Sequence, residues 1–162
     1  MSRPTGKHKD EIELYRGGYV VSSLLGALGS SLKETRLTAL LGYLISLNPE
    51  PFIKRFNFKG KPITVKLECL YDKDRADIVI ATTEGLGLIE AKINATDPFQ
   101  QVGKYDADWK VLLTQYVPSN QERRQAGVQY ICWDDLAELV ENLRDVDLRN
   151  RFVENDFLKF LE

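Results

Sequence analysis

Asp77, Glu90 and Lys92 stand where the interior of a sheet should be apolar. Asp77 lies in the run ADIVIA (76–81), and Glu90 and Lys92 close the run LGLIEAKI (86–93). Side chains alternate along a strand, so Leu88, Glu90 and Lys92 share one face while Ile89, Ala91 and Ile93 take the other. If Glu84-Gly85 is the turn between the two strands, Asp77 falls opposite Lys92 and Val79 opposite Glu90. Both acids and the ammonium then gather at the end of the hairpin away from the turn. Burying unpaired charge is expensive, and two carboxylates against one ammonium leave a negative charge over. A divalent cation would balance it, and hard oxygen donors without His or Cys favour Mg²⁺ or Mn²⁺ over zinc. The competing reading is an edge hairpin with a solvated Asp–Lys pair that contributes little. Against it, ADIVIA has no polar alternation and reads as a central strand buried on both faces.

The elements that must hold this cluster follow from hydrophobic period and turn chemistry. Residues 1–16 form a polar N-terminal segment, and a helix or broken helical pair is expected over 17–29. Ser31-Leu-Lys-Glu34 opens a clear helix, with Leu37, Leu40, Leu41, Leu44 and Ile45 at the spacing of one apolar face. Asn48-Pro49 and Pro51 stop it. Strands are expected at 62–71, 75–82 and 86–93, the last two joined through Thr83-Glu84-Gly85. Asp97-Pro98 starts a helix running to about Asp108. A strand at 109–117, a short polar helix at 119–126 and a strand at 128–133 follow. A helix from Asp134 or Asp135 carries Leu136, Leu139, Val140 and Leu143 on one face, and a last helix covers 148–161. The tight turn makes the second and third strands antiparallel, and the helix after the third makes a crossover to a parallel neighbour. The expected architecture is an α/β fold with a mixed sheet of about five strands and helices on both faces.

Composition bounds the function. The 162 residues suit one core, with a single domain over 17–162, its motifs within 31–133 and C-terminal helices at 134–162. No apolar stretch reaches membrane-spanning length, since GGYVVSSLLGALGSSL is broken by Gly and Ser and lacks the flanks of a secretory signal. Cys69 and Cys132 form neither a metal spacing nor a disulfide framework; they read as reduced core thiols, which places the chain in the cytoplasm. The lone histidine, His8, argues against Ser-His-Asp, Cys-His and His-rich zinc chemistry. The net charge of −2 hides an asymmetry: residues 1–66 carry eleven Lys/Arg against five Asp/Glu, and residues 134–162 four against nine. Lys54, Arg55, Lys59, Lys61 and Lys66 therefore read either as a solvated surface or as a basic patch for nucleic acid.

Asp77, then Glu90-Ala91-Lys92, then Gln101-Val-Gly-Lys-Tyr105 resembles the PD-(D/E)XK nuclease superfamily, in the form where a Q-x-x-x-Y motif follows on the next helix, as in RecB-type nucleases. The string IEAKINATDPFQQVGKY is similar to the signature of its restriction-endonuclease-like members, and the resemblance extends over about 31–117, including element order. Ala76 stands where the family name has Pro. The resemblance implies a restriction-endonuclease-like fold and a Mg²⁺- or Mn²⁺-dependent nuclease hydrolysing phosphodiester bonds, most simply a DNA endonuclease in restriction, phage defence, repair or recombination. It implies that Asp77 and Glu90 hold the metal with the main-chain carbonyl of Ala91. Lys92 would orient or help deprotonate the attacking water and stabilise charge on the phosphate. Gln101 and Tyr105, four apart on one helix face, would position the Lys, the substrate phosphate or a metal-bound water. Glu34 reads two ways: as half of a capping box with Ser31 or, by the resemblance, as a further metal carboxylate. Glu68, one strand earlier, is left open by its alternation, and Arg123 and Arg124 read as a solvated pair or as phosphate contacts. Target recognition is expected from a homodimer mate or a separate targeting subunit. Two other readings stand beside the enzyme: a silent nuclease-fold domain binding nucleic acid or a protein partner, and an interaction module whose charges form a structural network. The complete Asp/Glu/Lys set favours the enzyme.

Overall fold

Among the described residues, seven strands form one mixed sheet, where the sequence pattern suggests about five. The structure, a computed structural model, describes residues 12–21, 33–71, 73–92, 102–115, 127–143 and 158. Its strands are β1 (Glu13–Arg16), β2 (Tyr19–Val21), β3 (Pro62–Tyr71), β4 (Asp74–Thr82), β5 (Gly85–Lys92), β6 (Trp109–Thr114) and β7 (Val128–Cys132). They lie in the order β2-β1-β3-β4-β5-β6-β7. The β4–β5 pair is antiparallel and the β5–β6 pair parallel, as the tight turn and the crossover require. The β3–β4 pair is antiparallel, while β1–β3 and β6–β7 are parallel.

The two additional strands form a hairpin that takes the place of the end of the expected polar segment and the start of the expected 17–29 helix. Gly17 and Gly18 have φ of 55° and 87°, the left-handed pair that a two-residue hairpin turn demands. Tyr19-Val-Val21 after them is β-branched and aromatic, which suits a strand. Glu13–Arg16, expected to be part of a polar segment, is the other arm. The remainder of the expected helix lies outside the described residues.

Helix α1 (Lys33–Leu47) buries Leu37, Leu40, Leu41, Leu44 and Ile45, the face its period marks. Pro49 does more than stop it. It sits in the first turn of a second helix, α2 (Pro49–Arg55), where its missing N–H has no helical partner to lose. Helix α3 (Trp133–Asn142) starts one residue before the earlier of its two expected starts, with Cys132 at its N-cap. The expected helices at 119–126 and 148–161 lie outside the described residues, apart from buried Leu158.

Helices were expected on both faces; the three described ones all pack into one apolar cluster. There they meet Ile78 and Ile80 of β4, Ile89 of β5, Val111 and Leu113 of β6 and Ile131 of β7. Gly87 of β5 is part of this fit, because a Cβ on it would run into the Phe58 ring, which stacks on Trp109 at 5.6 Å. The opposite face carries a smaller cluster of Ala76, Val79, Leu88 and Tyr105. Among the described residues, no helix is long and apolar enough to cross a membrane.

Candidate active site

The β4–β5 hairpin turns through Thr83-Glu84, with Thr82 opposite Gly85. The Thr82 hydroxyl fixes that turn by accepting the N–H groups of Glu84 at 3.1 Å and Gly85 at 3.2 Å. The expected Glu84-Gly85 turn is therefore displaced by one residue, and the register by two. Val79 pairs with Leu88 and Ile78 with Ile89, so Asp77 continues opposite Glu90 rather than Lys92. An even slip leaves every side chain on its expected face.

The ladder between β4 and β5 stops at Ile78–Ile89. Beyond it, Asp77 Oδ2 accepts the Ala91 N–H at 2.8 Å, so a side-chain carboxylate replaces a strand carbonyl as partner. Glu90 is only 3% exposed, and its Oε1 is buried without a hydrogen-bond donor. Burial first, then the neighbouring Asp77 charge, lifts the Glu90 carboxyl from 4.5 to about 8; Tyr105 and Lys92 pull the other way too weakly to compensate. Tyr105 is buried, and its hydroxyl donates to the Arg75 carbonyl at 3.1 Å. Burial and the adjacent Glu90 raise this phenol, which keeps its proton.

Asp77, Glu90, Lys92 and Tyr105 line one cavity of about 200 Å³ on the sheet face away from the described helices. Asp74, Arg75 and Lys104 complete its wall, and none of the three carries a spacing signal. The hints were compositional: the charge-dense DKDRAD stretch holds the first two, and Lys104 directly precedes Tyr105.

Tyr105 reaches the cavity by a route other than the expected one. Val102 is helical, but the chain turns at Gly103-Lys104, and Tyr105 lies in the irregular stretch leading to β6 rather than on a helix face. Tyr71 of β3 holds it there: the two rings meet edge to face with centroids 5.9 Å apart, and the Tyr71 hydroxyl donates to the Asp106 carbonyl. Gln101, Arg123 and Arg124 lie outside the described residues. Glu34 falls in the first turn of α1, with its side chain outside the description. Glu68 does not line the cavity. It has a φ of 47°, and its carboxylate pairs with Arg16 at 2.6 Å.

Among the described residues, no group of three or more His, Cys, Asp or Glu forms a metal cage. Two carboxylates, one with an orphaned buried oxygen, nonetheless suit Mg²⁺, which keeps several waters and takes only one or two protein carboxylates. The residues present fit the ion.

No protein-family model and no curated protein matches the chain. Among solved structures, a DNA modification-dependent restriction endonuclease, AspBHI, is similar at 15% identity with a TM-score of 0.39. The match covers 87% of this chain and 42% of that one, so the chain spans less than half of that protein's length. A likeness this loose carries no functional argument; the side chains have to.

Proposed function

We propose that this chain is a Mg²⁺- or Mn²⁺-dependent nuclease that hydrolyses phosphodiester bonds, with DNA as its substrate class, in restriction, defence, repair or recombination. One observation carries the reading: the buried, unpartnered Glu90 oxygen beside Asp77 in a polar cavity that also holds Lys92. As a structural element, such a carboxyl is inferior to an apolar side chain of similar size. As half of a cation site, it has a use, and perturbed carboxyls in clefts mark functional sites.

When bound, the metal supplies Lewis acidity and a lowered pKa for water beside the phosphate. The protein's own groups do the rest. Asp77, held by the Ala91 N–H, and Glu90 would hold the ion, with the Ala91 carbonyl as a third donor by the family resemblance. The Lys92 ammonium orients the attacking water and balances negative charge developing on the phosphate. Tyr105, kept protonated, offers its hydroxyl within the same cavity. Arg75 and Lys104 at the rim draw the phosphodiester in. By the family resemblance alone, Gln101 and Glu34 would join the same centre.

The deciding experiment incubates the protein with linear, circular and single-stranded DNA, and with RNA, in Mg²⁺, Mn²⁺ or EDTA. Cleavage of DNA that needs the metal and disappears in Lys92→Ala is expected. Binding without cutting of any substrate, equal in wild type and Lys92→Ala, would sink the enzyme and leave the silent binding domain. Calorimetry checks the metal separately: divalent binding must weaken in Asp77→Asn and Glu90→Gln.

A further inference from the structure

We infer, resting on the nuclease reading above, that the groove between the β1–β2 hairpin and β3 is a phosphate subsite for the substrate strand beside the cut. Lys66 shares the sheet face of the catalytic carboxylates. It pairs with Val79, two residues beyond Asp77 on β4, and Val79 packs with Leu88 and Tyr105 around the candidate site. One strand over and two residues along is roughly 8 Å between α-carbons, by strand spacing and rise. That is within a nucleotide's reach.

The groove encloses about 330 Å³, walled by Tyr15, Lys66, Cys69 and the Gly17-Gly18 turn. Cys69 also packs against the cluster containing Tyr105, so groove and active-site cavity adjoin on one face. The Lys66 ammonium lies 5.8 Å from the centre of the Tyr15 ring and forms no ion pair with a described residue. Two acids near it are already engaged. Glu13 accepts the Tyr15 hydroxyl, and Glu68 is paired with Arg16 at 2.6 Å. Regular alternation would set Glu68 on the face of Lys66 and opposite Asp77. Its left-handed φ of 47° breaks that alternation, at a cost any L-residue with a Cβ meets there. The Glu68 carboxylate is thus neutralised by Arg16, and the Lys66 cation is left facing the path a phosphate would follow. A lone positioned ammonium reads backbone charge and not base identity.

The test measures fluorescence anisotropy of a labelled oligonucleotide, single-stranded and duplex, across a salt series in EDTA, and then KM and kcat in Mg²⁺. Lys66→Ala should weaken binding several-fold, lower the slope of log affinity against log salt by about one, and raise KM with kcat unchanged. Lys66→Arg, which keeps the cation, should stay near wild type and controls for folding. Wild-type affinity and salt slope in a folded Lys66→Ala would overturn the subsite, as would failure of the wild type to bind nucleic acid. Cutting that is indifferent to Lys66 sinks the subsite alone. Lys66-dependent binding without any cutting sinks the nuclease reading and leaves the subsite standing.

Discussion

The two faces of β4 and β5 are built from alternate residues of the same strands, and they do different work. On the helix-covered face, Ile78, Ile80 and Ile89 are fully buried among other apolar side chains. On the other, Val79 and Leu88 begin an equally apolar layer, but one step further along the chain meets Asp77 and Glu90. The first face holds the strands in place by area removed from water. The second leaves a carboxylate oxygen without a partner, a cost that a sheet anchored on its other side can carry. On the proposed function, stability and chemistry are separated by a period of two residues, not by domain or loop.

The comparison breaks most visibly at Glu90. Glu90→Gln should lower metal-dependent cleavage by about a hundredfold or more, the scale of losing a group aimed at developing charge. The same variant should melt no lower than wild type without metal, since a neutral amide replaces a strained acid. A gel assay and a thermal melt read the two sides, and a lower melting midpoint would count against the division of labour. The mirror experiment is Ile80→Ala on the helix-covered face. It should cost about 2–5 kcal/mol in denaturant unfolding while cleavage per folded molecule holds.

A third expectation concerns pH. Because Glu90 titrates at about 8 in the folded chain and at 4.5 ordinarily, the native state holds a proton that the unfolded chain has released in between. Metal-free stability should therefore be fully present at the acid end of that window and fall as pH rises through about 8. Glu90→Gln should flatten the profile in melts from about pH 5 to 9, and added Mg²⁺ should restore stability at the alkaline end by binding the native state. A profile unchanged by Glu90→Gln would show that another group titrates. The smallest effect belongs to Tyr71→Phe, which removes the bond to the Asp106 carbonyl and keeps the ring. About 1 kcal/mol for one hydrogen bond should appear as a several-fold loss in kcat with KM unchanged, and Tyr71→Leu, which also removes the ring contact, should lose more.

The sequence made legible what period and turn residues govern. Helix α1 and strands β3 to β5 carry clean patterns, and Asp77, Glu90 and Lys92 share a cavity as their alternation predicts. What it hid was decided by single local bonds or by convergence in space. The register turned on the Thr82 hydroxyl, which no spacing marks. Strands β1 and β2 are only four and three residues long, too short for a period to show, so the first merges with the polar segment and the second with the Gly- and Ser-broken stretch that follows it. The fate of Glu68 depended on one backbone angle and a distant Arg16. Asp74, Arg75 and Lys104 come together only because the segment after Val102 folds back over the β3–β4 hairpin, tied by Tyr71 and Tyr105.

The Thr83-Glu84 turn sets a metre for the hairpin as well as a bend. Lengthening or shortening it by two residues would slide Glu90 along Asp77 with both still on the open face, whereas a single inserted residue would rotate β5 and send Glu90 among the isoleucines. Lineages of this chain could thus vary that turn only in even steps. Odd-length loops there would be expected only where the carboxylate pair has been lost.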